Sequence, residues 1–110
     1  MNVELMNLAN DLYAARLKQA KAKEKLLAAE RDHEQAKASA YLRGGPKEGH
    51  YEANYRSTID PKVQSARAAV DAATIGHYEA WIEANHRLNL LSVNRPGHAL
   101  ERDDWINNKP

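Results

Sequence analysis

The chain of 110 residues contains no cysteine and no phenylalanine, and it has few glycines and prolines. Without cysteine there is no disulfide framework and no thiolate metal site, which fits a reducing compartment. No stretch approaches the ~20 apolar residues that a membrane-spanning helix needs. The start, Met-Asn-Val-Glu-Leu, lacks a basic segment followed by an apolar run, so a cytoplasmic protein with no membrane partner is expected. The formal net charge is +1, which gives no bulk electrostatic reason for nucleic acid or an anionic surface to be the main partner. Nucleophile chemistry has no visible basis, because there is neither a Gly-x-Ser-x-Gly elbow nor a phosphate-cradling glycine loop. The chain is therefore expected to be neither an enzyme nor a cofactor protein.

Ala, Leu, Lys, Glu and Arg dominate two long segments, and these residue types favour helix. Positions 5, 8, 12, 15, 19, 22, 26, 29, 33, 36 and 40 read Leu, Leu, Leu, Ala, Gln, Ala, Leu, Ala, His, Ala, Ala, an unbroken alternation of three and four. One helix over about 3–42 follows, ended by Gly44-Gly45-Pro46. Alanine recurs every seventh residue, at Ala15, Ala22, Ala29 and Ala36, leaving one side of the seam almost flush with the backbone. That predicts a tight antiparallel partner. The second helix is expected over about 61–92, with Asp60 as its cap and Pro61 in its first position. Its apolar series reads Val63, Ala66, Val70, Ala73, His77, Trp81, Ala84, Leu88 and Leu91. His33, His77 and Gln19 on the seams are polar residues of the kind that fix register.

The connection at 43–60 is either a long loop or a short helix around Tyr51 to Ser57, and the short helix is preferred because structureless connections of this length are uncommon. The tail at 93–110 offers two helical turns from Ala99 to Ile106. Leu100, Trp105 and Ile106 would either fold back on the hairpin or dock elsewhere. The fold class is thus all-α within a single domain, 1–110: a long, coiled-coil-like antiparallel helical hairpin with an Ala-rich seam and a short helical tail.

A hairpin buries one stripe per helix, yet each helix carries a second one. On the first it is Tyr13, Leu17, Ala20 and Leu27; on the second, Ala68, Ala72, Ile75, Tyr78 and Ile82. A homodimer forming a four-helix bundle would cover them, with Leu17, Leu27, Ile75 and Ile82 between subunits.

Two Glu-x-x-His motifs, Glu30 to His33 and Glu83 to His86, invite comparison with ferritin-like metal bundles, where such pairs face one metal. If paired residue numbers sum to about 103, Glu30 lies roughly ten residues, or ~15 Å, from Glu83. No metal site is expected. The basic run from Arg16 to Lys25 points to several sides of a helix, as solvated faces do. Tyr41, Arg43, Lys47, Tyr51, Tyr55 and Arg56 form a better aromatic and basic cluster for stacking on unpaired bases, opposed by Glu48 and Glu52.

Ala40-Tyr41-Leu42-Arg43, a glycine-containing break and a long Ala-rich helix ending Arg87-Leu88-Asn89-Leu90-Leu91-Ser92 together resemble a diffuse family of small bacteriophage proteins. The likeness covers about half the chain. Those proteins tend to carry Gly-Arg-Ser near the end of the second helix, which this chain lacks, and its loop is longer. The resemblance implies a phage early protein acting in the host cytoplasm, with no catalytic residues to carry over. The expected role is binding and modulation, by inhibition or adaptation, of a host or phage protein. The expected contact residues are Tyr51, Tyr55 and Arg56 at the tip and Asp103, Asp104 and Trp105 in the tail. The alternatives are an accessory factor in DNA recombination or replication and a metal-binding bundle.

Overall fold

The computed structural model describes residues 3–45 and 47–94. The tail residues Asp103, Asp104 and Trp105, with Leu100 and Ile106, lie outside the described residues. Three helices follow in order: α1 (Val3–Leu42), α2 (His50–Ile59) and α3 (Pro61–Asn94). They form an all-α helical hairpin, and no strand occurs among the described residues. None of the helices is long and apolar enough to cross a membrane.

The expected boundaries of α1 hold, and α3 runs two residues past Ser92 to Asn94, whose side-chain amide donates to the Leu90 carbonyl at 2.7 Å. The connection between them is the short helix α2 rather than a loop.

The described residues fall into two compact units. In the first, α1 through Ala20 packs with α3 from Glu79. Lys18 Nζ lies 3.5 Å from Glu83 and Arg87 lies 3.9 Å from Asp11, so partner numbers fall as α1 numbers rise and the helices run antiparallel. These exposed pairs contribute roughly 0–1 kcal/mol each, so the contact depends on the seam, where Ala15, Ala80 and Ala84 are buried. The second unit, Lys21–Tyr78, brings all three helices together and buries Ala40, Ala53, Ser57, Asp60, Val63 and Ala73.

Every position of the three-and-four series on α1, from Leu5 to Ala40, is buried or half-buried. Outside that series only Ala28, Lys37 and Tyr41 on α1 are even partly covered. On α3 the covered series is Val63, Ala66, Val70, Ala73, His77, Ala80, Ala84, Arg87 and Leu91, an equally strict alternation. Two seam expectations are thereby corrected: Trp81 and Leu88 are exposed, and Ala80 and Arg87 take their places. Stepping to the larger apolar neighbour breaks the seven-residue column Ala66, Ala73, Ala80. That column keeps the second backbone as smooth as the first, and an indole would not fit between closely approaching helices.

The buried apolar residues are six alanines and Val63, and no large side chain is fully buried among the described residues. A buried methyl group contributes about 0.8 kcal/mol, against about 1.5–3 kcal/mol for a whole Leu or Ile side chain. The seam is therefore close-fitting but thin. His77 adds a cost, because its Nε2 is buried with no hydrogen-bond partner among the described residues.

Replacing Ala15 by Leu should overpack the seam and destabilise the protein by about 1–3 kcal/mol in denaturant melts. The exposed neighbour Ala14 is the control, and Ala14→Leu should leave the midpoint unchanged. Equal effects of the two substitutions would show that the contact does not run through Ala15.

Candidate functional site

The most elaborate side-chain chemistry lies where α1 ends and α2 and α3 begin, within the second unit. The last carbonyls of a helix have no intrahelical partners. Here one side chain takes two of them: Arg56 donates from Nε to the Ala40 carbonyl and from Nη2 to the Tyr41 carbonyl, each at 2.9 Å. Its Nη1 faces both carboxylate oxygens of Glu48 in an ion pair largely shielded from water. Glu48 is brought into place by the turn after α1, where its amide donates to the Gly45 carbonyl at 3.4 Å.

Two glycines make this turn possible. Gly45 has φ +80, a conformation that side chains disfavour. At Gly44 a Cβ would fall on the Glu48 carboxylate and the Arg56 guanidinium, so the pair can lie against the backbone only because that position carries no side chain.

Asp60 joins α2 to α3. Its amide donates to the Arg56 carbonyl at 3.0 Å and so closes α2, while Oδ1 accepts from the amides of Lys62 at 2.8 Å and Val63 at 3.3 Å and caps α3. Oδ2 lies 2.9 Å from Arg43 Nη1. Burial by itself would raise the Asp60 pKa, but the two amides and then Arg43 outweigh it, and the carboxyl titrates below its usual value. On the outer side, the Tyr41 hydroxyl and His50 Nδ1 are hydrogen-bonded at 2.6 Å, with the rings 5.6 Å apart.

This geometry divides the tip residues expected to touch a partner. Arg56 is part of the fold, half-buried, with its donors turned inward. Tyr51 and Tyr55 stand on the open side of α2, 83% and 62% exposed, on a helix that Arg56 ties to α1. The arginines of the proposed base-stacking cluster face Glu48 and Asp60, so this cluster is less cationic than its composition suggests.

The four residues expected between subunits are all exposed in the single chain: Leu17 45%, Leu27 51%, Ile75 59% and Ile82 46%. Of the two Glu-x-x-His motifs, Glu30 and His86 are exposed and Glu83 faces Lys18. No three His, Cys, Asp or Glu side chains gather to hold a metal among the described residues. An open groove beside the seam of the second unit is lined by Ala28, Ala29, Ala66 and Ala69 and rimmed by Lys25, Asp32 and Lys62. It presents methyl groups to solvent and gathers no reactive group.

Sequence reasoning named Arg56 and Asp60 but not their joint action, and it treated Glu48 only as a charge opposing the tip cluster. The detectable signal was Gly44-Gly45 followed by Glu48 and Arg56, eight residues apart, since an acid after a glycine turn has to be neutralised if the turn folds back. Comparisons with protein-family models, with curated proteins and with solved structures return no match to this chain.

Two outcomes follow. Arg56→Ala should lower stability by roughly 1.5–3 kcal/mol, because two carbonyls and a carboxylate lose a charged donor, whereas Tyr55→Ala should leave the melting curve nearly unchanged. Equal melting curves would remove Arg56 from its clamping role. Asp60→Asn keeps the cap acceptor and loses the charge. Because the folded carboxyl titrates low, its contribution is present above the unfolded pKa of about 4 and is lost as pH falls through the folded value. The melting temperature of Asp60→Asn should therefore lie below wild type at pH about 7, with the gap closing below pH about 4. A gap that stays constant on acidification would contradict the assignment.

Proposed function

We propose that this chain is a non-enzymatic interaction protein that binds and modulates another protein. The observation that carries this reading is the distribution of apolar surface: the described core is alanine and one valine, while Tyr, Trp, Leu and Ile side chains stand outside it. Exposed aromatic and aliphatic groups on a rigid helical frame are what protein interfaces use as anchors, since a ring contributes contact area with little loss of rotamer freedom. The tip supplies Tyr51 and Tyr55 on α2, whose position is fixed by the Arg56 clamp, and the tail residues Asp103, Asp104 and Trp105 are a second contact. The pattern resemblance to small bacteriophage proteins supports an early phage protein that inhibits or adapts a host or phage partner in the host cytoplasm. Nucleic-acid binding at the tip is the less favoured reading, because Arg43 and Arg56 already face carboxylates.

The test is capture from bacterial cells with the tagged chain, comparing wild type with Tyr51→Ala and Tyr55→Ala combined, and separately with Trp105→Ala. A protein retained by wild type and lost with one variant, at unchanged helicity and melting temperature, supports the reading and locates the contact. Retention of single-stranded DNA that salt abolishes, with no protein captured, would replace it by the nucleic-acid reading.

A further inference from the structure

The first unit carries nearly all its charge on one flank. With Leu5, Leu12 and Gln19 as position a of a heptad on α1, and Ala84 and Leu91 as a on α3, the seam series of both helices fall at a and d. At 3.5 residues per turn, e and b lie about 75° and 130° from the seam on one side, and g and c lie equally far on the other. Lys18 and Glu83, which pair across the hairpin, are both at g. The g and c positions of the two helices therefore share one flank, and the e and b positions share the other. The g and c flank of this unit carries Glu4, Asp11, Lys18, Glu79 and Glu83. The e and b flank carries Met6, Ala9, Tyr13, Arg16 and Ala20 from α1 and Trp81, Asn85, Leu88 and Ser92 from α3, so Arg16 is its one charge among the described residues. Met6, Tyr13, Trp81 and Leu88 are all exposed there. In the second unit the same positions hold Lys23, Glu30, Glu34 and Lys37 on α1 and Arg67 and Asp71 on α3, and present no comparable face. A contiguous apolar face beside a charged one marks a protein contact.

The seam fixes which residues of this unit stand level. Leu8, Leu12, Ala15 and Gln19 are spaced four, three and four apart, and Leu91, Arg87, Ala84 and Ala80, met in the opposite direction, are spaced identically. Matching the two sets in that order agrees with the pairs Lys18 with Glu83 and Asp11 with Arg87 to within about two residues. On this register Met6 comes level with Ser92, Tyr13 with Asn85 and Ala9 with Leu88, each to within about 3 Å along the axis. A large side chain on one helix of the e and b flank is thus level with a smaller one on the other helix. That pattern is complementary to itself under a two-fold axis running along the hairpin, because such an axis lays α1 of one copy over α3 of the other at the same level. Tyr13 then meets Asn85, and Leu88 meets Ala9, of the other copy. Charge does not oppose the contact. Arg16 comes level with Trp81, where its stem lies across an indole and its guanidinium reaches the rim.

We propose that two copies of this chain pack the e and b flanks of their first units face to face about a two-fold axis along the hairpin, α1 of each against α3 of the other. This rests on the reading of the exposed apolar side chains as binding surface, and it names a second copy as the occupant of that flank. The contact runs through Tyr13, Trp81 and Leu88; Leu17 and Ile82 fall at f, on the outer edges of the hairpin, and lie outside it. The tip and the tail remain for other partners.

The experiment reads mass by sedimentation velocity on the full chain, with circular dichroism to check that each variant stays helical. Wild type should be a dimer at tens of micromolar and grow no larger as concentration rises. Tyr13→Gln with Leu88→Gln spoils the flank and should be monomeric, whereas Leu17→Gln with Ile82→Gln alters only the outer edges and should remain dimeric. A second pair of variants reads which helix meets which. Tyr13→Lys in one chain and Asn85→Glu in another should each dimerise about tenfold or more weakly than wild type. An equal mixture should recover a one-to-one dimer, tighter at about 0.05 M salt than at about 0.5 M, because the new lysine and glutamate meet only if α1 of one copy faces α3 of the other. A monomeric wild type, a flank variant that still dimerises, an edge variant that does not, or a mixture no tighter than its components would each overturn the proposal. Capture of a tip-dependent partner by a monomeric wild type would overturn it and leave the broader interaction reading standing. Dimerisation with no partner captured would do the reverse.

Discussion

Alanine recurring every seventh residue, at Ala15, Ala22, Ala29 and Ala36 on α1 and at Ala66, Ala73 and Ala80 on α3, is the constraint from which the rest follows. A column of methyl groups lets two backbones come close along a seam, and Ala15, Ala73, Ala80 and Ala84 are buried accordingly. The same choice limits how much apolar surface the hairpin can bury by itself, since small side chains contribute little each. Leu5, Leu8, Leu12, Leu26 and Leu91 are half-buried along the seam, while Tyr13, Leu17, Leu27, Ile75, Trp81 and Ile82 stand exposed outside it. These exposed large residues lie off the alanine columns, where the seam does not cover them.

A thin seam also makes the turn between the helices matter more. The Arg56 guanidinium joins α2 to the end of α1 and to Glu48, and Asp60 closes α2 while starting α3. Between them these two side chains satisfy helix-end groups that a plain loop would leave to water. They also hold Tyr51 and Tyr55 on the open side of a short, fixed helix. The inner residues thereby fix where the outer tyrosines stand.

The helices and the α1 seam were legible because heptad spacing is a long-range signal, repeated many times along α1 without a Gly or Pro to interrupt it. On α3 the phase was lost at His77, where size favoured Trp81 and periodicity favoured Ala80; the packing of two smooth backbones decided for the smaller residue. The tip was harder to read. Tyr51, Tyr55 and Arg56 look alike in a linear sequence as an aromatic and basic group, and only the backbone geometry after Gly45 separates an inward arginine from outward tyrosines. Glu48 and Asp60 carried local signals, a glycine turn and a cap before Pro61, yet their pairing with Arg56 and Arg43 depends on three helix ends meeting. The four residues Leu17, Leu27, Ile75 and Ile82 were identified as exposed stripes by period alone.

On the proposed reading, the seam alone leaves apolar side chains uncovered and contact with further chains covers them. Anything that binds the folded form and not the unfolded one raises the melting temperature with concentration. The most direct measurement is therefore the melting temperature of the wild-type chain across a hundredfold range of protein concentration at low salt. The account predicts a steady rise with concentration. A melting temperature independent of concentration would contradict it and would mean that the alanine seam and the Arg56 clamp suffice to hold the hairpin folded.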